Sequence, residues 1–113
     1  MNDCIFCKIV KGELPSRKVY EDDDILAFHD IYPRADTHIV FIPKSHISSA
    51  DHIDEGNVGV VAKIFATIPG VMKELEITNG YRVVTNVGED GGQTVGHLHF
   101  HAIGGNKLKA DFC

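Results

Sequence analysis

Near the C-terminus the chain reads His97-Leu98-His99-Phe100-His101-Ala102-Ile103, with histidine and apolar residues in alternation. Successive side chains of a strand point to opposite faces, so this pattern predicts a strand with all three imidazoles on one face. The opposite face is apolar enough to pack on a core and so to fix the register. Three imidazoles held in fixed relation can supply a nucleophile, a proton shuttle or a metal ligand. The alternative is a half-buried strand whose polar positions happen to be histidine.

Length and composition are those of one small globular domain. The chain has 113 residues, 43% of them hydrophobic and 24% charged, and a single domain over residues 1–113 is expected. A formal charge of −5 disfavours binding to nucleic acid or to an anionic membrane. No stretch approaches the ~20 apolar residues of a membrane span, and no signal peptide pattern opens the chain. We therefore expect a cytoplasmic protein with reduced cysteines and with neither nucleic acid nor membrane as partner.

Hydrophobic periodicity predicts two helices and four further strands. An apolar stripe at helical spacing covers residues 57–76, where Pro69-Gly70 should kink or split the helix, and a shorter one predicts a helix over residues 5–10. An acidic run typical of a solvated turn separates the first two strands. The four strands, rich in β-branched or apolar residues, are predicted over residues 18–21, 25–29, 38–42 and 81–87.

The pair Cys4-x-x-Cys7 near the N-terminus leaves three interpretations open. A redox pair usually follows a strand, and no strand is predicted before Cys4. Half of a zinc site needs two more ligands from elsewhere, and two merely buried thiols need none. The third cysteine, Cys113, is expected to be exposed and is assigned no role.

A glycine-rich loop over residues 88–94 leads into the histidine stretch and brings Gln93 and Thr94 beside it. Such a loop can present backbone N–H groups to an anion, and imidazole can serve as nucleophile, base or acid near neutral pH. The combination favours phosphoryl or acyl transfer through a covalent histidine intermediate. A strand that only binds metal is the competing interpretation, but it would leave Thr94 and the loop without a function.

These residues resemble the histidine-triad (HIT) superfamily, whose signature alternates three histidines with apolar residues. Gly104-Gly105 after the triad resembles the Hint branch, the histidine-triad nucleotide-binding proteins and nucleoside phosphoramidases. The resemblance implies a homodimer of α+β protomers, each with a five-stranded antiparallel sheet, one long helix and a short N-terminal helix, the two sheets forming a continuous one. Six further segments carry it: Ile5-Phe6-Cys7-Lys8-Ile9, Leu26-Ala27-Phe28-His29-Asp30, Thr37-His38, Ile42-Pro43-Lys44-Ser45-His46-Ile47, Gly80-Tyr81-Arg82-Val83-Val84 and Gly91-Gly92-Gln93-Thr94-Val95.

The resemblance further implies a purine nucleoside phosphoramidase. It would cleave a P–N bond through a nucleotidyl-histidine and release a nucleoside 5′-monophosphate. By motif position His99 is the nucleophile, and His101, Thr94 and His38 complete the catalytic set. Thr94 stands where serine is usual, which keeps the hydroxyl and adds a methyl group. The implied nucleotide-binding residues are Phe6, Ile9, Leu14, Phe28, His29, Asp30, Ile31, Val40, Asn86, Gly92, Gln93, Thr94, Val95, His99 and His101. The alternatives are a dinucleoside polyphosphate hydrolase and a nucleotide-binding interaction protein with vestigial hydrolysis.

A related resemblance bears on the cysteine pair. Triad proteins with an N-terminal Cys-x-x-Cys resemble the galactose-1-phosphate uridylyltransferases, in which zinc is held by two cysteines and two histidines. The matching residues here are Cys4, Cys7, His46 and His97. The resemblance therefore implies a structural Zn²⁺ site, with the first triad histidine as a ligand rather than a catalytic group.

Overall fold

The structure, a computed structural model, describes residues 3–110. Within that range two α-helices and a 3-10 helix accompany a five-stranded antiparallel sheet, which confirms the predicted fold class. The strand order is β1-β2-β3-β5-β4, with every neighbouring pair antiparallel. The elements are α1 Ile5–Val10, β1 Lys18–Glu21, β2 Ile25–His29, β3 Thr37–Pro43, the 3-10 helix Ala50–His52, α2 Val58–Glu74, β4 Tyr81–Val84 and β5 Phe100–Gly104.

The sheet is covered on both faces, by α2 on one and by α1 on the other. On the first face, α2 buries Ile64, Ile68 and Met72 against alternate residues of the central strands. On the second face, Phe6 and Ile9 of α1 pack in a separate cluster with side chains of β2 and β3. Because both clusters draw on β3, residues 38–43 of that strand are all buried. This placement sets α1 on the face of β3 from which the histidines project.

The turn between β1 and β2 is acidic, as expected, but its carboxylates are engaged. Asp22 accepts hydrogen bonds from the backbone N–H groups of Asp24 and Ile25 and from the Tyr20 hydroxyl. The Tyr20 hydrogen bond is the main reason that the pKa of Asp22 falls to about 2. Lys63 of α2 lies 2.7 Å from the Asp24 carboxylate. The turn therefore ties the β1–β2 hairpin to α2.

Of the two outcomes predicted for Pro69-Gly70, a kink or a split of the long helix, the split is wrong, because α2 runs unbroken through Pro69. Proline lacks the N–H that would bond the carbonyl four residues earlier, here that of Phe65. Pro69 and Phe65 are both exposed, so water can hydrogen-bond the freed carbonyl. Among residues 3–110, no helix combines the length and the apolar character that crossing a bilayer requires.

The histidine strand is shorter than predicted: β5 begins at Phe100, so His97 and His99 precede it. β3 ends at Pro43, which has no N–H to offer a neighbouring strand. The Leu98 N–H instead donates to the Ile47 carbonyl, 2.6 Å away, outside the sheet. β4 likewise ends at Val84 rather than at residue 87.

Candidate active site and metal-binding group

The three triad imidazoles lie on the α1 side of the protein, although only His101 belongs to β5. Leu98, Phe100 and Ala102 join the core under α2. On the opposite side, the rings of His97 and His99 pack edge-on against Phe6, and His99 packs in the same way against His101 with ring centroids 4.9 Å apart. The alternation of side chains therefore extends beyond the hydrogen-bonded strand.

The His99 ring is fixed by one hydrogen bond to its own segment. Its Nδ1 lies 2.7 Å from the backbone carbonyl oxygen of His97. A carbonyl only accepts, so Nδ1 carries a proton, and in the neutral imidazole Nε2 then carries the lone pair. The side chain is only 4% exposed, which holds the ring in place. His99 thus has the protonation pattern that a nucleophile attacking through Nε2 requires.

His38 and His101 form a directed chain of hydrogen bonds. The backbone N–H of Arg34 donates to His38 Nδ1 at 3.1 Å, so His38 holds its proton on Nε2. That proton points to His101 Nδ1, 2.8 Å away, which leaves the proton of His101 on Nε2. Asp30 Oδ2 is 3.5 Å from His38 Nε2. His101 can therefore offer an Nε2–H donor to a ligand beside His99.

Burial keeps this chain uncharged at neutral pH. Burial, followed by the neighbouring His99 and His38, lowers the pKa of His101 to about 4. Burial also lowers the pKa of His38, against an opposing contribution from Asp30. Both rings are thus neutral near pH 7 and act as oriented hydrogen-bond donors and acceptors.

Replacing His101 with asparagine should make folding less sensitive to acid. The pKa of His101 is about 4 in the folded protein, against 6.5 for a free side chain. The unfolded chain therefore binds more protons, and stability is lost as pH falls from 6.5 towards 4. The loss is up to about 3 kcal/mol. Urea unfolding at pH about 7.5 and about 4.5, at matched metal content, should show a smaller loss in His101→Asn than in wild type. Equal losses of unfolding free energy in the two proteins would contradict the lowered pKa assigned to His101.

The glycine-rich loop is held by its own side chains. Gln93, a predicted nucleotide contact, accepts from the Gly88 N–H and donates to the carbonyls of Ser48 and Val95, so its amide is committed to the loop. Asn86 donates to the Gly91 carbonyl. A Cβ on Gly91 would lie 2.3 Å from the Val87 carbonyl oxygen, and Gly92 has φ +80°. The close turn thus requires glycine at these positions.

Thr94 lies at the end of that loop and is exposed. With Val95, Gly96 and Asp3 it lines an open cavity of about 340 Å³ beside Cys4 and His46. The space next to Gly96 is empty, because a Cβ built on this residue would meet no atom within 4 Å. The lack of a side chain at position 96 therefore helps to keep the cavity open. The Thr94 hydroxyl is therefore free to contact a ligand.

The structure brings together only some of the apolar residues that the resemblance implies for nucleotide binding. Phe6, Ile9, Phe28 and Val40 form one buried cluster, against which Val95 packs. Leu14 and Ile31 are 38% and 81% exposed and stand outside it. His29 ends β2, where burial lowers its pKa. Asp30 follows it, and its Oδ1 accepts from the Tyr32 N–H.

Cys4, Cys7, His46 and His97 form a possible metal-binding group, with their ligand atoms within 4.8 Å of one another. Cys4 Sγ and Cys7 Sγ lie 3.3 and 3.6 Å from His97 Nδ1, and Cys7 Sγ lies 3.3 Å from His46 Nδ1. Tetrahedral bonds of the usual Zn–S and Zn–N lengths place sulfur and nitrogen about 3.5 Å apart. The spacing therefore fits a tetrahedral ion.

The chemistry of these ligands also fits a cation. His97 Nε2 donates to the Pro43 carbonyl at 2.9 Å, so the Nδ1 lone pair faces the two sulfurs. Burial lowers the pKa of His97 and keeps the ring neutral, as ligation requires. Burial raises the pKa of the Cys7 thiol, and the hydrogen bond to Cys4 and the repulsion between two ionised sulfurs raise it further.

A second group of potential ligands, Asp30, His38 and His101, is also within 4.8 Å. A metal there would need the lone pair of His38 on Nε2. The Arg34 N–H already requires that lone pair on Nδ1. We therefore assign this group to the hydrogen-bond chain rather than to a metal.

Several contacts that fix the site come from backbone atoms that sequence reasoning missed. The Arg34 N–H and the carbonyls of Pro43 and His97 set the proton positions of three histidines. Every residue has a backbone carbonyl and every residue but proline has a backbone N–H, so no side-chain pattern could have identified these contacts. Gln93 could have been recognised as a structural residue, since a side-chain amide can bridge three backbone groups. The sequence did not show which backbone groups lie beside it.

The antiparallel sheet and the histidine triad on it are those that the sequence resemblance implies, and comparisons with known proteins point to the same family. Residues 3–112 match the protein family described as scavenger mRNA decapping enzyme C-term binding. Protein HitA of Neisseria gonorrhoeae is 39% identical over 104 residues, covering 92% of this chain and 97% of that protein. A HIT family hydrolase from Clostridium thermocellum superposes with a TM-score of 0.96 at 41% identity, over 100% and 99% of the two chains.

A histidine triad protein from Clostridium difficile is 47% identical, with a TM-score of 0.93 over 96% of both chains. The chain belongs to the histidine-triad (HIT) superfamily. This membership supports a HIT-type role as a nucleotide hydrolase or nucleotide-binding protein.

Proposed function

We propose that the protein is a purine nucleoside phosphoramidase that works through a nucleotidyl-His99 intermediate. The observation that carries the proposal is the fixed protonation of His99, with Nδ1–H bound to the His97 carbonyl and a free lone pair on Nε2. A neighbouring imidazole, His101, offers an N–H donor in the same small space. A nucleophile and an oriented donor side by side suit transfer of a charged phosphoryl group.

In the first step His99 Nε2 attacks the substrate phosphorus while the P–N bond breaks. The leaving nitrogen departs with the bonding electrons and takes a proton from solvent through the Thr94 hydroxyl. The His101 Nε2–H hydrogen-bonds a phosphoryl oxygen as negative charge builds there. In the second step water attacks the phosphorus, His99 Nε2 leaves with its electrons, and one proton returns to solvent. The products are an amine and a nucleoside 5′-monophosphate.

We propose that the nucleotide lies across the α1 side of the protein. The buried cluster of Phe6, Ile9, Phe28 and Val40 offers an apolar wall for a purine base. The Asp30 carboxylate has room to accept from ribose hydroxyls, and the backbone from Gly92 to Val95 suits a phosphate. Leu14 and Ile31, both exposed, would contact the nucleotide only from the rim.

We further propose that the four-ligand group holds a structural Zn²⁺. When bound, the ion supplies a fixed link between α1 and the segment before β5, and all four coordination positions are occupied by protein. Thiol ligation requires reduced cysteines, which agrees with a cytoplasmic location. As a separate point, we propose that residues 1–113 constitute one HIT domain.

The substrate class is tested with purified protein and a panel of adenosine and guanosine phosphoramidates that differ in the leaving amine. The proposal predicts release of nucleoside monophosphate at rates well above those on diadenosine polyphosphate. The variant Thr94→Val should lose about 10-fold or more in turnover, whereas Thr94→Ser should not. Faster cleavage of diadenosine polyphosphate would favour a dinucleoside polyphosphate hydrolase. Tight monophosphate binding without turnover would favour an interaction protein.

We propose a homodimer in which two β4 strands meet. β4 is an edge of the sheet, and on α2 the apolar side chains of Val58 and Phe65 are 47% and 48% exposed. The Phe65 ring packs against Phe100 of β5, the strand beside β4. Exposed apolar side chains near a free strand edge are typical of a subunit interface. Phe65→Lys should therefore produce monomers in sedimentation analysis, whereas Leu14→Lys, which adds the same charge at an exposed position after α1, should not. A dimer that persists in Phe65→Lys would exclude this interface.

A further inference from the structure

Phe6 connects the metal-binding group to the triad. It lies in α1 between the two cysteines of the group, Cys4 and Cys7, and is buried. Its ring packs edge-on against His97 and His99, with centroids 5.8 and 5.1 Å apart. One aromatic side chain therefore contacts both a potential metal ligand and the proposed nucleophile.

His97 provides a second connection between the same two places. Its Nδ1 faces the sulfurs of Cys4 and Cys7, and its Nε2 donates to the Pro43 carbonyl. Its backbone carbonyl accepts the Nδ1–H of His99 at 2.7 Å. A constraint on the His97 ring thus acts on the same residue whose carbonyl sets the proton of His99.

The part of the protein that carries Phe6 is attached to the group as well as to the apolar cluster of β2 and β3. α1 has only six residues, too few to be a stable helix without tertiary support. Its first turn is capped by Cys4, whose sulfur accepts from the Cys7 N–H at 3.3 Å. An ion bound to Cys4, Cys7, His46 and His97 would lock α1 and the segment before β5 into one unit.

We propose that Phe6 is a positioning residue which, with the His97 carbonyl, makes the orientation of the His99 imidazole depend on occupancy of the four-ligand group. With the ion bound, the Phe6 ring and the His97 carbonyl hold the His99 proton on Nδ1. Without it, Cys4 and Cys7 are no longer tied to His46 and His97, and the His99 ring samples both tautomers. The consequence for turnover rests on the proposed function, whereas the dependence of the His99 ring on the ion does not.

The test is an imidazole ¹H–¹⁵N correlation spectrum at one fixed pH, recorded for the Zn²⁺-loaded and the chelator-stripped wild-type chain. A second pair of spectra compares two Zn²⁺-loaded variants, Phe6→Leu and Phe41→Leu. The first removes the aromatic edge beside His99. The second makes the same change in the core under α2, away from the triad, and is the matched control. The His99 signals are assigned by their loss in His99→Ala.

We expect the loaded wild type and Phe41→Leu to show one His99 tautomer, protonated on Nδ1. Phe6→Leu should bind Zn²⁺ in the same ratio and yet show a mixture, with kcat lowered by about 10- to 100-fold. The stripped wild type, if folded, should show the mixture too. If it unfolds on stripping, the loaded Phe6→Leu spectrum decides.

A single Nδ1–H tautomer in Phe6→Leu, or in folded stripped protein, would overturn the proposal. If no phosphoramidate is turned over by wild type, the proposed function fails. The spectra still decide the inference in that case, because they do not depend on activity.

Discussion

Replacing His99 with alanine should abolish turnover of every phosphoramidate that the wild type cleaves, with a loss of at least about 1,000-fold. The expectation follows from the first step, in which only the Nε2 lone pair of His99 forms a bond to phosphorus. Neither of the other triad rings has this anchored tautomer, since His101 accepts through Nδ1 and His97 Nδ1 faces two thiols. Stopped assays of nucleoside monophosphate release measure the effect.

The matched control for this substitution is His52→Ala. His52 is an exposed histidine in the 3-10 helix after β3, and its ring forms a hydrogen bond with the Ser49 hydroxyl. Its turnover should stay within about twofold of wild type, as expected for a surface position. His99→Ala should still bind nucleoside monophosphate, because the apolar cluster and the loop remain. Turnover by His99→Ala near the wild-type rate would show that another group attacks phosphorus.

Loss of a metal ligand should have the largest effect on stability. Cys7→Ser leaves three ligands of the group, and the expected cost is on the order of 5 kcal/mol, because binding of a structural ion adds directly to the folding free energy. Metal analysis should find about one zinc ion per wild-type chain and much less in the variant. Thermal unfolding with and without chelator gives the energetic effect.

Cys113→Ser supplies the control for that experiment, since Cys113 is a cysteine outside the proposed ligand set, and it lies outside the described residues. It should keep the zinc content and the unfolding temperature of wild type. His46→Ala should behave like Cys7→Ser, because His46 Nδ1 lies 3.3 Å from the Cys7 sulfur. Wild-type protein that is metal-free and fully stable would exclude a structural ion.

The sequence predicted the face of each histidine because side-chain alternation is a local property. His97 and His99 project opposite to Leu98 and Phe100 even before the hydrogen-bonded strand begins. The extent of the strand could not be predicted, because it depends on its partner. β3 ends at Pro43, and the Leu98 N–H turns to the Ile47 carbonyl instead.

The resemblance predicted which side chains gather, and the four potential metal ligands do so. It could not predict the proton positions, which depend on backbone groups such as the Arg34 N–H that no pattern distinguishes. It grouped Leu14 and Ile31 with Phe6 and Phe28 as nucleotide-binding residues but could not predict that the first two are exposed and the last two buried. Solvent exposure of a loop residue depends on the path of the whole loop rather than on its own hydrophobicity.

The central claim is that His99 Nε2 forms a covalent bond to phosphorus, and acid-free quenching followed by mass spectrometry tests it most directly. Wild-type protein mixed briefly with excess adenosine phosphoramidate should carry one adenylyl group, and peptide fragmentation should place it on His99. The His99→Ala variant should carry none. An adduct on another residue, or rapid turnover with no adduct at any quench time, would contradict the account.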